Sequence, residues 1–194
     1  MPILIYALVS LADVKEALGI LDNSQDSYLT NLINRATDII EKYCNGRRFK
    51  ETTYTNETYD GNGSQFLNLK HYPISAITSL QWRSGDFSSN NWDSIDSSMY
   101  TYLDIEGEIY YTGVFSRGIR NYRVSYTAGY STIPNDLQQA CITLISYLKN
   151  QTKTSGMKSE SLGEYSYTKD DDVQATISKL GLDEILNAYR IPAL

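Results

Sequence analysis

The sequence predicts an α+β protein: a small α-helical bundle core of about four helices, an inserted antiparallel β subdomain, and an extended arm before the C-terminal helix. Three observations carry that prediction. Apolar residues recur at helical spacing from Tyr28 to Cys44, the pattern changes to a period of two from Lys50 to Tyr130, and a second helical stripe runs from Leu137 to Leu148. Two stripes this distant share a core only if the β region is inserted between them. The expected organisation is therefore 1–49 with 131–194 as helical core, arm and tail, and 50–130 as the β-rich insertion.

The opening run Ile3-Leu-Ile-Tyr-Ala-Leu-Val9 is apolar but too short to span a bilayer, and it lacks the basic flank and cleavage site of a signal peptide. It reads as a short strand or a tail packed on a neighbour. Ser10 followed by Asp13 is a capping-box start for a short helix through Ala17, which stops at Gly19. A turn follows at Asp22-Asn23-Ser24. In the next helix Tyr28, Leu29, Leu32, Ile33, Ala36, Ile39, Ile40, Tyr43 and Cys44 share one face. Asn31, Asn34, Arg35, Asp38, Glu41 and Lys42 are expected on the other, before a stop at Asn45-Gly46.

Strands are expected at Glu51–Tyr59, Gln65–Leu69, Ala76–Trp82, Met99–Ile105, Glu108–Thr112 and Tyr122–Tyr126. Asp60-Gly-Asn-Gly63 is a tight-turn signal, and Glu106-Gly107 is expected to close a second hairpin. Most of the chain's tyrosines lie in or near this region, where aromatic side chains suit a half-buried pleated surface. The polar stretch between Arg83 and Ser98 has no usable period and reads as an exposed loop. Its two aromatics, Phe87 and Trp92, either fold back on the sheet or contact a partner.

Pro134 suits the first turn of a helix, and Leu137, Ala140, Cys141, Leu144, Ile145 and Leu148 then form its apolar stripe. Asn150–Ser159 is polar and reads as flexible, and Leu162, Tyr165 and Tyr167 suggest a short strand on an extended arm. Asp170-Asp-Asp172 complements the N-terminal dipole of a last helix carrying Val173, Ile177, Leu180, Ile185, Leu186 and Tyr189. Gly181 should kink or split that helix, and Pro192 ends it.

Of 194 residues, 41% are hydrophobic and 21% charged, enough for a real core and against wholesale disorder. The net charge is −6, and the only basic clusters, Arg47-Arg48-Lys50 and Arg117-Arg120-Arg123, read as solvated charges at element ends. A general nucleic-acid binder would need a concentrated basic face, and none is visible in the sequence. Cys44 and Cys141 lie on apolar helical faces, so both are expected reduced and buried, consistent with synthesis in a cytoplasm. His71 is the lone histidine. No nucleophile–base arrangement, zinc cluster, calcium loop or phosphate-cradling motif accompanies it. No catalytic residue, metal or cofactor is expected.

One ordered set of motifs remains. A short helix contains Leu11-Ala-Asp-Val-Lys15; a longer one, Leu29 to Phe49, reads Leu-x-x-x-Ile-x-x-Ala-x-x-x-Ile-x-x-Tyr-x-x-x-x-x-Phe. A strand ends Tyr126-Thr-Ala-Gly-Tyr130, and Ile133-Pro-Asn-Asp-Leu137 opens the next helix. The loop Ser159-Glu-Ser-Leu-Gly-Glu-Tyr-Ser166 then leads to a helix ending Tyr189-Arg190. In this order the motifs resemble the head–tail connector (adaptor, or head-completion) proteins of tailed bacteriophages. The Arg83–Ser98 loop has no counterpart in that pattern.

The resemblance implies a structural, non-enzymatic virion protein of the phage neck, made in the host bacterial cytoplasm and not bound to membrane. It implies a ring of copies, dodecameric, that sits on the portal protein, extends the DNA channel and docks the next neck or tail protein. DNA would pass without specific binding. A head-to-tail ring needs two different surfaces per subunit. Met157, Ser161, Leu162, Tyr165 and Tyr167 of the arm, and Tyr189, Arg190, Ile191 and Leu194 of the tail, are the candidate subunit or portal contacts, with Phe87 and Trp92 as a possible partner-contacting loop. Two alternatives stand beside it: another ring-forming tail-completion or terminator protein, and an aromatic-rich glycan- or protein-binding module.

Overall fold

The computed structural model describes residues 2–85, 91–154 and 173–190. It is mixed α and β, with two units: Met1–Arg47 with Thr132–Leu194, and Arg48–Ser131. Among the described residues the first holds α1 (Leu11–Ala17), α2 (Asp26–Tyr43), α3 (Asn135–Thr154), α4 (Val173–Lys179) and α5 (Asp183–Asn187). The second holds β1 (Thr52–Gly61), β2 (Phe66–Asn68), β3 (Ile74–Arg83), β4 (Trp92–Ser94), β5 (Tyr100–Leu103), β6 (Glu108–Tyr111) and β7 (Gly118–Ala128), with a 3-10 turn at Ser97–Met99.

In the helical unit, α1 begins with the expected reciprocal cap: Asp13 N–H donates to Ser10 Oγ at 3.2 Å, and Ser10 N–H donates to Asp13 Oδ2 at 3.1 Å. The stripe of α2 buries Leu29, Leu32, Ile33, Ala36, Ile40 and Tyr43, and that of α3 buries Leu137, Ala140, Cys141, Leu144, Ile145 and Leu148. The two helices pack on each other.

Several expectations change here. Ile3–Val9 is not a strand, and its own chain holds it in place. Leu4 N–H donates to Asn34 Oδ1 at 2.9 Å, Asn34 Nδ2 donates to the Pro2 carbonyl at 3.0 Å, and Leu8 and Val9 are buried. That segment covers the α2 flank assigned to solvent, so Asn34 is buried; Glu41 on the same helix is buried too. Arg47, read as a solvated charge, is only 1% exposed. Pro134 stands just before α3, its carbonyl accepting from Gln138 N–H at 3.0 Å. The helix continues through Asn150–Thr154, expected to be flexible, because nothing in that polar stretch breaks it. The C-terminal pattern is two helices, parted at Gly181, which holds a φ of 66°.

The β unit contains a four-stranded sheet in the order β1-β7-β3-β4 and a three-stranded sheet in the order β2-β6-β5, every named pairing antiparallel. Both sheets contribute to one core, in which Tyr59, Leu80, Tyr122, Val124 and Tyr126 meet Leu67, Ile109 and Phe115. Glu106-Gly107 does lie in the β5–β6 hairpin turn, where Gly107 N–H donates to the Leu103 carbonyl at 3.0 Å. Asp60–Gly63 does not make a hairpin. β1 pairs with β7 and β2 with β6, so this turn carries the chain from one sheet to the other.

The unit's two ends lie side by side. Tyr130 N–H donates to the Phe49 carbonyl at 2.7 Å, and Glu51 N–H donates to the Tyr130 carbonyl at 3.1 Å. Gly129 makes the approach possible: its φ is 112°, and a Cβ there would fall 2.7 Å from the Lys50 carbonyl oxygen. Gly46 also has positive φ, 78°, but its Cβ would meet nothing within 4 Å. In chemical denaturation, Gly46→Ala should therefore cost about 1–2 kcal/mol, the left-handed penalty alone. Gly129→Ala should cost more, because strain and backbone collision act together.

Candidate functional site

Of the sequence-predicted contacts, Met157, Ser161, Leu162, Tyr165, Tyr167, Ile191, Leu194 and Phe87 lie outside the described residues. Tyr189, Arg190 and Trp92 are described.

Tyr189 and Arg190 follow α5, and their own chain engages both. The Tyr189 hydroxyl donates to the Asp136 carboxylate, 2.8 Å from Oδ2, and its carbonyl accepts from Arg47 Nη1 at 2.8 Å. The Arg190 guanidinium lies 5.4 Å from the centre of the Tyr43 ring. Tyr43 Oη is within 3.0 Å of Asn187 Oδ1 and 3.2 Å of Asp183 Oδ1. The end of α2 and the start of α3 are thus both tied to the segment after α5. Arg47 is central, a buried cation whose partner is a backbone carbonyl 142 residues away.

Trp92 folds back on the four-stranded sheet. It stands opposite Arg83 in the β3–β4 register, half-buried, with the Arg83 and Arg123 guanidiniums 4.7 and 4.5 Å from its ring centre. Arg123 is fixed further by donating from Nε to Gln81 Oε1 at 2.5 Å. The stretch expected to be a loop therefore contains a strand, β4, which completes the sheet's edge.

Sequence reasoning missed a polar network inside the β unit. The Tyr59 and Tyr126 hydroxyls donate to Glu57 Oε2 at 2.5 and 2.7 Å and lie 2.8 Å from each other. Lys70 Nζ is 3.3 Å from Glu57 Oε1, and the Tyr54 ring stacks on Tyr126 on one side and on His71 on the other. Burial pushes the Glu57 carboxyl up, but the Tyr126 and Tyr59 hydroxyls, with Lys70 and His71, outweigh it and hold the group below its ordinary 4.5. Burial, and then the Glu57 carboxylate, pushes the Tyr59 hydroxyl well above 10; burial with Tyr59 and Glu57 does the same at Tyr126. The sequence signal was a glutamate facing the core between Tyr54 and Tyr59, at a break in the alternation. Both tyrosines keep their protons and Glu57 keeps its charge, so the arrangement locks strands together and offers no acid–base pair poised near neutrality.

Cys44 and Cys141 are free and buried, and burial first pushes both thiols up to about 12. Among the described residues, no three or more His, Cys, Asp and Glu side chains gather to hold a metal, and no helix is long and apolar enough to cross a membrane. The three most exposed large apolar side chains among the described residues sit on connections: Leu21 (98% exposed), Ile5 (91%) and Ile105 (72%). Of these, sequence reasoning gave a contact role only to Ile5, within the Ile3–Val9 tail.

The chain matches the family described as head completion protein over residues 7–191, and it belongs to that family. Its fold is similar to a chain in the neck of an empty gene transfer agent (GTA) particle computed with C6 symmetry. That likeness has a TM-score of 0.60 and 14% identity, covering 96% of this chain and 91% of the other. A chain in the neck of a native GTA particle computed with C12 symmetry gives a TM-score of 0.55 at the same identity and coverage. One in the virion of a native GTA particle gives 0.53, again at 14% identity and the same coverage. No match to a curated protein reaches significance.

Two measurements check the interior. Because Glu57 sits below its ordinary 4.5, its stabilisation is complete above that pH and is lost as pH falls through the folded value. Glu57→Gln should flatten this part of the stability–pH profile in urea titrations and cost roughly 1–3 kcal/mol at neutral pH. Both cysteines should resist a thiol reagent at about pH 8 in the folded protein and react fully once it is unfolded.

Proposed function

We propose that this protein is a structural component of the phage neck, a head–tail connector that oligomerises into a ring on the portal. The ring extends the DNA channel and presents the docking surface for the next neck or tail protein. Its helical unit acts as a small bundle core of about four helices, with an extended arm before the C-terminal helix and 50–130 as the inserted β subdomain. Its place is the head–tail interface of the virion, after synthesis in the host cytoplasm.

The observation that carries this reading is membership of the head completion family across nearly the whole chain. Two further facts support it. The similar folds come from necks of GTA particles computed with C6 and C12 symmetry, in keeping with a ring of twelve. The Glu57–Tyr59–Tyr126 network of one unit and the Arg47–Tyr189 contact of the other hold the fold together, which fits assembly and not turnover.

A head-to-tail ring requires each subunit to offer two unlike surfaces. The arm residues Met157, Ser161, Leu162, Tyr165 and Tyr167 supply one, adding a strand to a neighbour through backbone hydrogen bonds. Ile191 and Leu194, following the anchored Tyr189 and Arg190, supply another toward the next subunit or the portal. Phe87 extends the partner-contacting loop rooted at Trp92.

Light scattering after size exclusion, on the protein alone and mixed with portal, tests the reading. A closed ring or a stable portal complex is expected. Deleting 157–168 should abolish either one while leaving the monomer's circular dichroism and unfolding midpoint unchanged. A wild-type protein that stays monomeric and ignores portal overturns the proposal.

A further inference from the structure

The ends of β1 and β3 meet the starts of β7 and β4 at one end of the four-stranded sheet. Arg83, Arg117, Arg120 and Arg123 all fall there, in a chain of net charge −6. Arg117, Arg120 and Arg123 make no ion pair among the described residues.

Each arginine is nonetheless positioned. The Arg117 side chain crosses Gly63, where an added Cβ would meet its Nε at 3.0 Å. Arg120 N–H donates to Asp60 Oδ1 at 2.6 Å, and the Arg120 carbonyl accepts from Arg83 Nη2 at 3.5 Å. Arg123 is held by Gln81 and by the Trp92 ring it shares with Arg83. The described carboxylates nearby are Asp60, already hydrogen-bonded to a backbone amide, and Asp93, which alternates to the opposite face from Trp92. Ile119 (66% exposed) and Trp82 lie in the open beside them.

We infer that this end of the sheet is a contact for the phosphate backbone of duplex DNA. A guanidinium fork matches a phosphate's oxygens, and guanidiniums already stacked or hydrogen-bonded lose less freedom on binding. The contacts argued here go to phosphates and none to base edges, so the contact is independent of sequence. With three or four phosphates engaged it is weak and salt-sensitive, which suits DNA that must move past. The choice of DNA over another polyanion rests on the neck reading; the charge cluster does not.

Anisotropy of a labelled mixed-sequence duplex of about 30 bp, titrated with the full-length protein from about 20 to 200 mM salt, tests it. Binding at low salt is expected. The triple variant Arg117→Gln, Arg120→Gln, Arg123→Gln should lower the slope of log affinity against log salt by roughly 2–3, about 0.9 for each phosphate left without its arginine. The matching lysine triple variant should keep most of the slope, which separates charge from misfolding. No binding at low salt, a slope unchanged in the glutamine variant, or capture of poly-glutamate in place of DNA each overturns the inference. A protein that joins portal yet fails on DNA overturns this inference alone and leaves the neck reading standing.

Discussion

The closure at the root of the β unit is the constraint on which the fold depends. The α2 and α3 stripes complete each other's core, yet the whole of Arg48–Ser131 lies between them in sequence. Closing a flexible loop of that length costs on the order of 4 kcal/mol in chain entropy. The chain offsets this with local hydrogen bonds, Tyr130 to Phe49 and Glu51 to Tyr130, backed by Gly129 N–H donating to the Pro73 carbonyl at 2.9 Å. The insertion thus leaves and returns at adjacent points, and the helical halves meet as if a short turn joined them.

Each unit also draws a charge out of water, buried at Arg47 and half-buried at Glu57, and each satisfies it by its own means. Arg47 is accommodated through a backbone carbonyl and aromatic faces, so its environment depends on residues far along the chain. Glu57 is accommodated through two phenols and an ammonium, two of them from its own and the next segment. Breaking either arrangement strands a charge away from water, which is more costly than having replaced the pair with apolar groups from the start. Both are devices of specificity within a unit, and neither leaves a reactive group exposed.

Much of this could be read from residue order, because the strongest signals were long. The α2 stripe, the α1 cap, the split at Gly181 and six of the seven strands follow from period and turn chemistry acting locally. What escaped notice was set by distant partners. Nothing near Arg47 announces Tyr189, and Asn34 is buried because the N-terminal segment lies over it. Three-residue β4 exists because β3 offers an edge and Arg83 and Arg123 offer a place for Trp92. The Asp60–Gly63 turn was recognised as a turn, but which strands it joins depends on the pairing of β1 with β7, an interaction that local sequence does not encode. Of the candidate contacts, Tyr189 and Arg190 stood out for residue type and position, and both serve inside the helical unit.

This division of labour bears on assembly. Side chains already committed to the interior cannot meet a partner without loosening the fold, so recognition falls to groups the fold does not need. In the described chain these are apolar tips on connections, such as Leu21 and Ile105, and the Arg117 and Arg120 guanidiniums, which make no ion pair among the described residues. Surface substitutions at such points cost little stability, whereas the stripes and buried networks tolerate few changes. The ring proposed above would be under that pressure: its contacts would have to change with its partners while its frame stayed rigid enough to close with many identical copies. Placing the adjustable groups on connections, and the invariable ones behind a hydrogen-bonded closure, lets one chain meet both demands.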